Sequence, residues 1–166
     1  MRKSLLFFVV VGFMQTCFGQ NDSIKAPYLR FPNFPPVKLL MPDSTTYFTK
    51  ADLPKKSAVM LLLFNPQCDH CQHETEEIIK YIDKFKAIQI VMATSMPFDA
   101  MMTFREKYKL ADFKNITVAQ DTHYFLPSYY MISNLPFLAF YNKKKELISV
   151  FEGSLPIDKV LKEFEK

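Results

Sequence analysis

Cys68 and Cys71 stand in the stretch Asn65-Pro66-Gln67-Cys68-Asp69-His70-Cys71. Two thiols at Cys-x-x-Cys spacing open as a dithiol or close as one small disulfide. An apolar run, Val59 to Phe64, leads into the stretch, and an amphipathic segment, His70 to Phe85, leads out of it. A strand followed by a loop and a helix start is the layout of a thiol–disulfide redox centre. The first helical turn has unpaired N–H groups and a partial positive charge, which would favour a thiolate at Cys68. Cys71 lies one turn on, within reach. His70 beside the sulfurs favours the reduced form, whereas the negative charge of Asp69 opposes a thiolate. A purely structural bridge closing so short a loop would remove little chain entropy, which favours a redox role. Cys68, Cys71, His70 and His73 also form a donor set suited to copper(I) or zinc. At helical spacing, however, His73 turns with the charged face, so no metal is expected.

The elements around this stretch follow from patterning. Val59 to Phe64 is apolar without alternation, as a strand covered on both faces requires. The next segment has an inward face at Cys71, Thr75, Ile78, Ile79, Ile82 and Phe85. Its outward face carries His73, Glu76, Glu77, Lys80 and Lys84, with Glu76 and Lys80 spaced for an ion pair. Ile88 to Ala93 reads as a strand. Ser95 is placed to cap a helix beginning near Pro97, with Met101, Phe104 and Tyr108 buried. Ile116 to Ala119 is a further strand, and Asp121 to Ser133 is irregular or briefly helical. Phe137 to Tyr141 and Leu147 to Phe151 form an antiparallel hairpin around Lys143-Lys144-Lys145, a solvated turn. A last helix begins at Ser154-Leu155-Pro156, with Val160, Leu161 and Phe164 inward. Before the central run, Phe34 to Met41 and Thr45 to Thr49 read as short strands joined by a turn at Pro42-Asp43-Ser44.

The chain of 166 residues is one domain's length, and 49% of it is hydrophobic, enough for a real core. Arg2 and Lys3 precede the apolar run Leu5 to Phe13, and small residues stand at Cys17 and Gly19. Residues 1–19 therefore read as a secretory signal peptide, cut after Gly19. The run is too short for a comfortable membrane span. Acylation of Cys17 is the secondary reading, because Met14-Gln15-Thr16 is a poor lipobox. Loss of Cys17 would leave only Cys68 and Cys71, one redox couple and no disulfide framework. Residues 20–31 are a polar, loosely held arm, and 32–166 form the domain. The net charge is +4, and loss of Arg2 and Lys3 halves it. No basic stripe with interleaved aromatics is present, so nucleic acid is not an expected partner.

With Cys68, Cys71 and the late Asn134-Leu135-Pro136-Phe137-Leu138, the chain resembles thioredoxin-fold proteins, and among them the TlpA-like redoxins of bacterial cell envelopes. The resemblance runs from about Pro32 to Phe164. It implies an α/β fold, a thioredoxin-like mixed β-sheet with helices on both faces and an N-terminal β-hairpin extension. It implies a cis peptide at Pro136, rather than at its competitor Pro127, and a substrate strand pairing with the backbone at Leu135. It also supports a tuning role for His70. The implied activity is disulfide exchange with envelope proteins, served by an upstream redox partner and needing no cofactor beyond the Cys68–Cys71 disulfide. The chain departs from the pattern in two places. Gln67 stands where a Trp is common, and Leu62 stands where thioredoxin has a buried acid that assists proton transfer to the second thiol. Glu76 or Glu77, acting through water, could take over that transfer. Two rivals use the same residues: a thiol peroxidase, although Asn65 replaces the Thr or Ser of those enzymes, and a copper or zinc chaperone.

Overall fold

The structure is a computed structural model and describes residues 25–166. The expected signal peptide, Cys17 and the first part of the arm lie outside the described residues.

Seven strands make one mixed sheet in the order β2-β1-β5-β4-β3-β6-β7. They are β1 (Lys38–Leu40), β2 (Tyr47–Thr49), β3 (Ala58–Leu63), β4 (Ile88–Thr94), β5 (Ile116–Gln120), β6 (Phe137–Tyr141) and β7 (Leu147–Glu152). The helices are α1 (Pro27–Arg30), α2 (Asp69–Lys80), α3 (Phe98–Lys107), α4 (Phe125–Tyr130) and α5 (Ile157–Glu163). Strands β3, β4 and β5 are parallel, and β6 runs antiparallel to both β3 and β7. The N-terminal hairpin β1–β2 joins the sheet through one antiparallel pair, Leu40 with Gln120.

The period of two in β3 divides the core. Met60, Leu62 and Phe64 face Cys71 and Ile78 of α2, Met101 and Phe104 of α3, and Ile157 and Val160 of α5. Val59, Leu61 and Leu63 face α4 through Leu126, Tyr129 and Tyr130, together with Phe34 and Val37 of the incoming chain. Helices thus cover both faces. The described end of the arm is more ordered than its polar composition suggests. Pro27 starts a helical turn, Tyr28 packs on Tyr130 at 5.5 Å between ring centroids, and Tyr129 donates to the Phe31 carbonyl at 2.8 Å.

Several local expectations are corrected. The segment after the cysteines is not one helix: α2 ends at Lys80, and a 3-10 turn, Ile82–Phe85, carries the chain to β4. Lys80 pairs with Glu77 at 2.9 Å, while Glu76 accepts from the Tyr108 hydroxyl at 3.4 Å. Ser95 caps nothing. Pro97 occupies the cap position of α3, and the Thr94 hydroxyl accepts from the Met96 N–H at 3.2 Å. The lysine run is not uniformly solvated. Lys145, at φ 68°, is buried, and its ammonium donates to the carbonyls of Pro54 and Ser57 at 2.8 and 2.7 Å and of Lys143 at 3.2 Å. Those carbonyls replace the water an ammonium needs.

Candidate active site

The site sits where β3 ends. Parallel pairing with β4 runs through Leu63, after which the Phe64 N–H still donates to the Ala93 carbonyl at 3.0 Å. Asn65 then turns the chain: its side-chain oxygen accepts from the Gln67 N–H at 2.9 Å, and its carbonyl accepts from the Cys68 N–H at 3.0 Å. That turn delivers Cys68 to the cap position of α2, in extended conformation and half-buried. The Cys68 sulfur lies 4.0 Å from the carbonyl oxygen of Leu135. The Leu135–Pro136 peptide is cis, and it is the only cis bond among the described residues. Pro127 lies inside α4 with an ordinary trans bond.

Cys71, one turn into α2, is fully buried, and both cysteines are free thiols. Burial pushes the Cys71 thiol up to about 12, opposed by the Asn65 N–H that donates to its sulfur at 3.5 Å and reinforced by the Cys68 thiol beside it. This group therefore needs help to ionise. Asp69 and His70 are exposed on the first turn of α2, and the His70 carbonyl accepts from the Ser154 hydroxyl at 3.2 Å. His73 is exposed on the outer face. No group of three or more His, Cys, Asp or Glu side chains among the described residues could hold a metal ion.

The residue that sequence reasoning missed is Glu74. It lies one turn from Cys71 on the buried face of α2 and is 2% exposed. One carboxylate oxygen accepts from the Leu155 N–H at 3.0 Å; the other has no partner among the described residues. Burial raises its pKa to about 7, in spite of that hydrogen bond. Glu76 is exposed and Glu77 half-exposed, so neither has this environment. The signal was in the spacing: position 74 is three residues past Cys71 and falls on the face that Cys71, Thr75 and Ile78 define.

Two further side chains hold the walls. Gln72 donates to the Pro66 carbonyl at 2.9 Å and accepts from Lys107 at 2.9 Å, which ties the Cys68 turn to α3. Asp121, itself buried, accepts from the N–H groups of Phe125 and Leu126 at 3.2 and 2.8 Å and caps α4. Next to Asp121 an apolar cavity of about 170 Å³ opens beside Asn65 and Leu135, walled by Met96, Tyr124 and Ile132.

No protein-family model matches the chain, and no curated protein does. Solved structures do. A secreted disulfide oxidoreductase of Mycobacterium tuberculosis, homologous to E. coli DsbE, superposes with a TM-score of 0.64 at 19% identity, over 77% of this chain and 93% of that one. The exposed lipoprotein thioredoxin of Streptococcus pneumoniae gives 0.56 at 24% identity, over 77% and 98%. A peroxiredoxin-like protein of Aquifex aeolicus gives 0.61 at 14% identity, over 79% and 82%. The chain has the thioredoxin fold. At these identities the likeness establishes architecture alone, so the chemistry rests on the side chains. Within this thioredoxin fold, Cys68, Cys71 and Pro136 converge on one end of the sheet, and Glu74 lies buried one turn further along α2.

Proposed function

We propose that this protein is a thiol–disulfide oxidoreductase acting on polypeptide substrates. The observation that carries the proposal is the pairing of a half-exposed Cys68 at the head of α2 with a buried Cys71 one turn below, facing the Leu135 carbonyl. In the reducing direction the Cys68 thiolate attacks one sulfur of a substrate disulfide. A Cys68–substrate bond forms, the substrate S–S bond breaks, and one substrate thiolate leaves. Cys71 then loses its proton, relayed through a water to the Glu74 carboxylate, and attacks Cys68. The Cys68–Cys71 bond forms and the second substrate thiolate departs, so the substrate has gained two electrons and the protein has lost them. Run backwards, the same steps oxidise a dithiol. A carboxyl held near 7 is suited to take that proton and return it at neutral pH. An extended substrate would pair its backbone with Leu135 and place a side chain in the adjoining apolar cavity.

His70 and Asp69 act as opposed tuners of the potential, and no metal or organic cofactor enters these steps. We further propose that the chain is exported: the basic start and apolar run of residues 1–19 support this, as does the secretion stated for the mycobacterial protein of similar fold. Among the described residues no helix is long and apolar enough to cross a membrane. Substrates would then be envelope proteins, with the protein recharged by a separate thiol–disulfide partner.

The test is covalent capture. Cys71→Ser stops the reaction after the first bond forms, so partners should accumulate as mixed disulfides on Cys68 and vanish with reductant or with Cys68→Ser. Failure to recover any adduct, from oxidised and reduced partner pools alike, would overturn the proposal. Cys68-dependent consumption of peroxide, measured on the same protein without captured partners, would point to the peroxidase chemistry instead.

A further inference from the structure

The segment from Ser133 to Leu135 brings backbone to within 4.0 Å of the Cys68 sulfur, yet the sheet does not hold it. Among the described residues, the N–H groups of Ser133, Asn134 and Leu135 reach no backbone acceptor, and the neighbouring Ile132 N–H turns back to Pro127 at 3.3 Å. The Leu135 side chain packs on the core, and one polar side chain takes the backbone N–H groups ahead of it. Glu152, the last residue of β7, accepts from the Ser133 N–H with one carboxylate oxygen at 3.1 Å. Its other oxygen accepts from the N–H of Asn134 at 3.1 Å and from the Asn134 side-chain amide at 3.2 Å. Glu152 pairs with no cation among the described residues, and its half-exposed carboxylate takes these three donors. The anchor is itself fixed: Glu152 sits opposite Phe137 in the β6–β7 ladder, and the next residue, Gly153, donates to the Pro136 carbonyl at 2.7 Å. Gly153 takes φ 96°, a left-handed conformation that suits glycine as the chain leaves the ladder.

We propose that Glu152 is a positioning residue for substrate: its carboxylate fixes the loop whose Leu135 backbone pairs with an incoming polypeptide. The inference rests on the proposed disulfide exchange. Glu152 touches neither sulfur and would leave the sulfur chemistry itself alone. A free loop would still let Cys68 react, but an extended chain docking on Leu135 would first have to order it.

The test separates docking from sulfur chemistry. In the full chain carrying Cys71→Ser, the rate of mixed-disulfide formation at Cys68 is measured with a peptide disulfide and, separately, with Ellman's reagent, which offers no backbone to pair. Glu152→Ala should slow the peptide reaction about tenfold and change the Ellman reaction less than about twofold. Glu152→Gln, which keeps one acceptor oxygen, should fall between. In the chain with both cysteines, Glu152→Ala should leave the potential against glutathione unchanged and speed amide exchange at Ser133 and Asn134. An unchanged peptide rate would overturn the positioning role, as would equal slowing of both reagents, which would make Glu152 merely structural. A Cys68 that reacts with Ellman's reagent but never with the peptide, before Glu152 is touched, would overturn the proposed function and this inference with it.

Discussion

Replacing Glu74 by Gln keeps its size and removes its proton chemistry. With Glu74→Gln, resolution of a Cys68 mixed disulfide by Cys71 should slow about 10- to 100-fold at pH 7, while attack by Cys68 keeps its rate; stopped-flow with a preformed adduct separates the two steps. A stability signature accompanies this. The folded pKa of Glu74, about 7, exceeds its ordinary 4.5, so between those values the native chain holds a proton that the unfolded chain has released. The contribution is complete below pH 4.5 and is lost as pH rises through 7. At roughly 1.4 kcal/mol per pKa unit, it amounts to about 3 kcal/mol. Urea unfolding at pH 5 and pH 8 should show the wild type losing stability relative to Glu74→Gln across that interval. Cys68 and Cys71 were legible from a specific spacing between a strand and a helix, and Pro136 from its place just before β6. Glu74 was not, because a carboxylate in an amphipathic helix looks like surface until its neighbours are seen to enclose it.

At the level of elements, apolar runs carried the information. Strands β3, β4 and β6 announced themselves because every residue of β4 and β6, and all but the first of β3, is buried. The joints between elements were less readable. Lys80 has two acidic neighbours at helical spacing, Glu76 and Glu77, and tertiary contact separates them: the Tyr108 hydroxyl, at the end of α3, engages Glu76. Lys145 shows the same dependence on distant chain. Its carbonyl partners at Pro54 and Ser57 lie some 90 positions earlier, so no local pattern could reveal that it closes the link before β3. Lys145→Met would keep the stem and orphan those carbonyls. It should cost about 2 kcal/mol, read as a lower urea midpoint with unchanged slope, and should leave Cys68 reactivity intact.

At the scale of the whole molecule, the sheet order sets β3 inside the sheet, between β4 and β6. The turn after β3 and the loop before β6 therefore meet at one end without either being long. Leu135 packs against both halves of the interior, the one beneath α2 and the one beneath α4. This convergence explains why residues 67 positions apart in sequence share a site, a relation that no window of sequence displays. It also sets two sulfurs at unequal depths, with Cys68 half in solvent and Cys71 sealed off. A scarce electrophile must meet them in order. Treated with equimolar iodoacetamide, the reduced domain should gain a single adduct in the intact mass spectrum, on Cys68. Under excess reagent the second should grow in only at the pace at which the protein breathes open, which makes alkylation of Cys71 a clock for native-state opening.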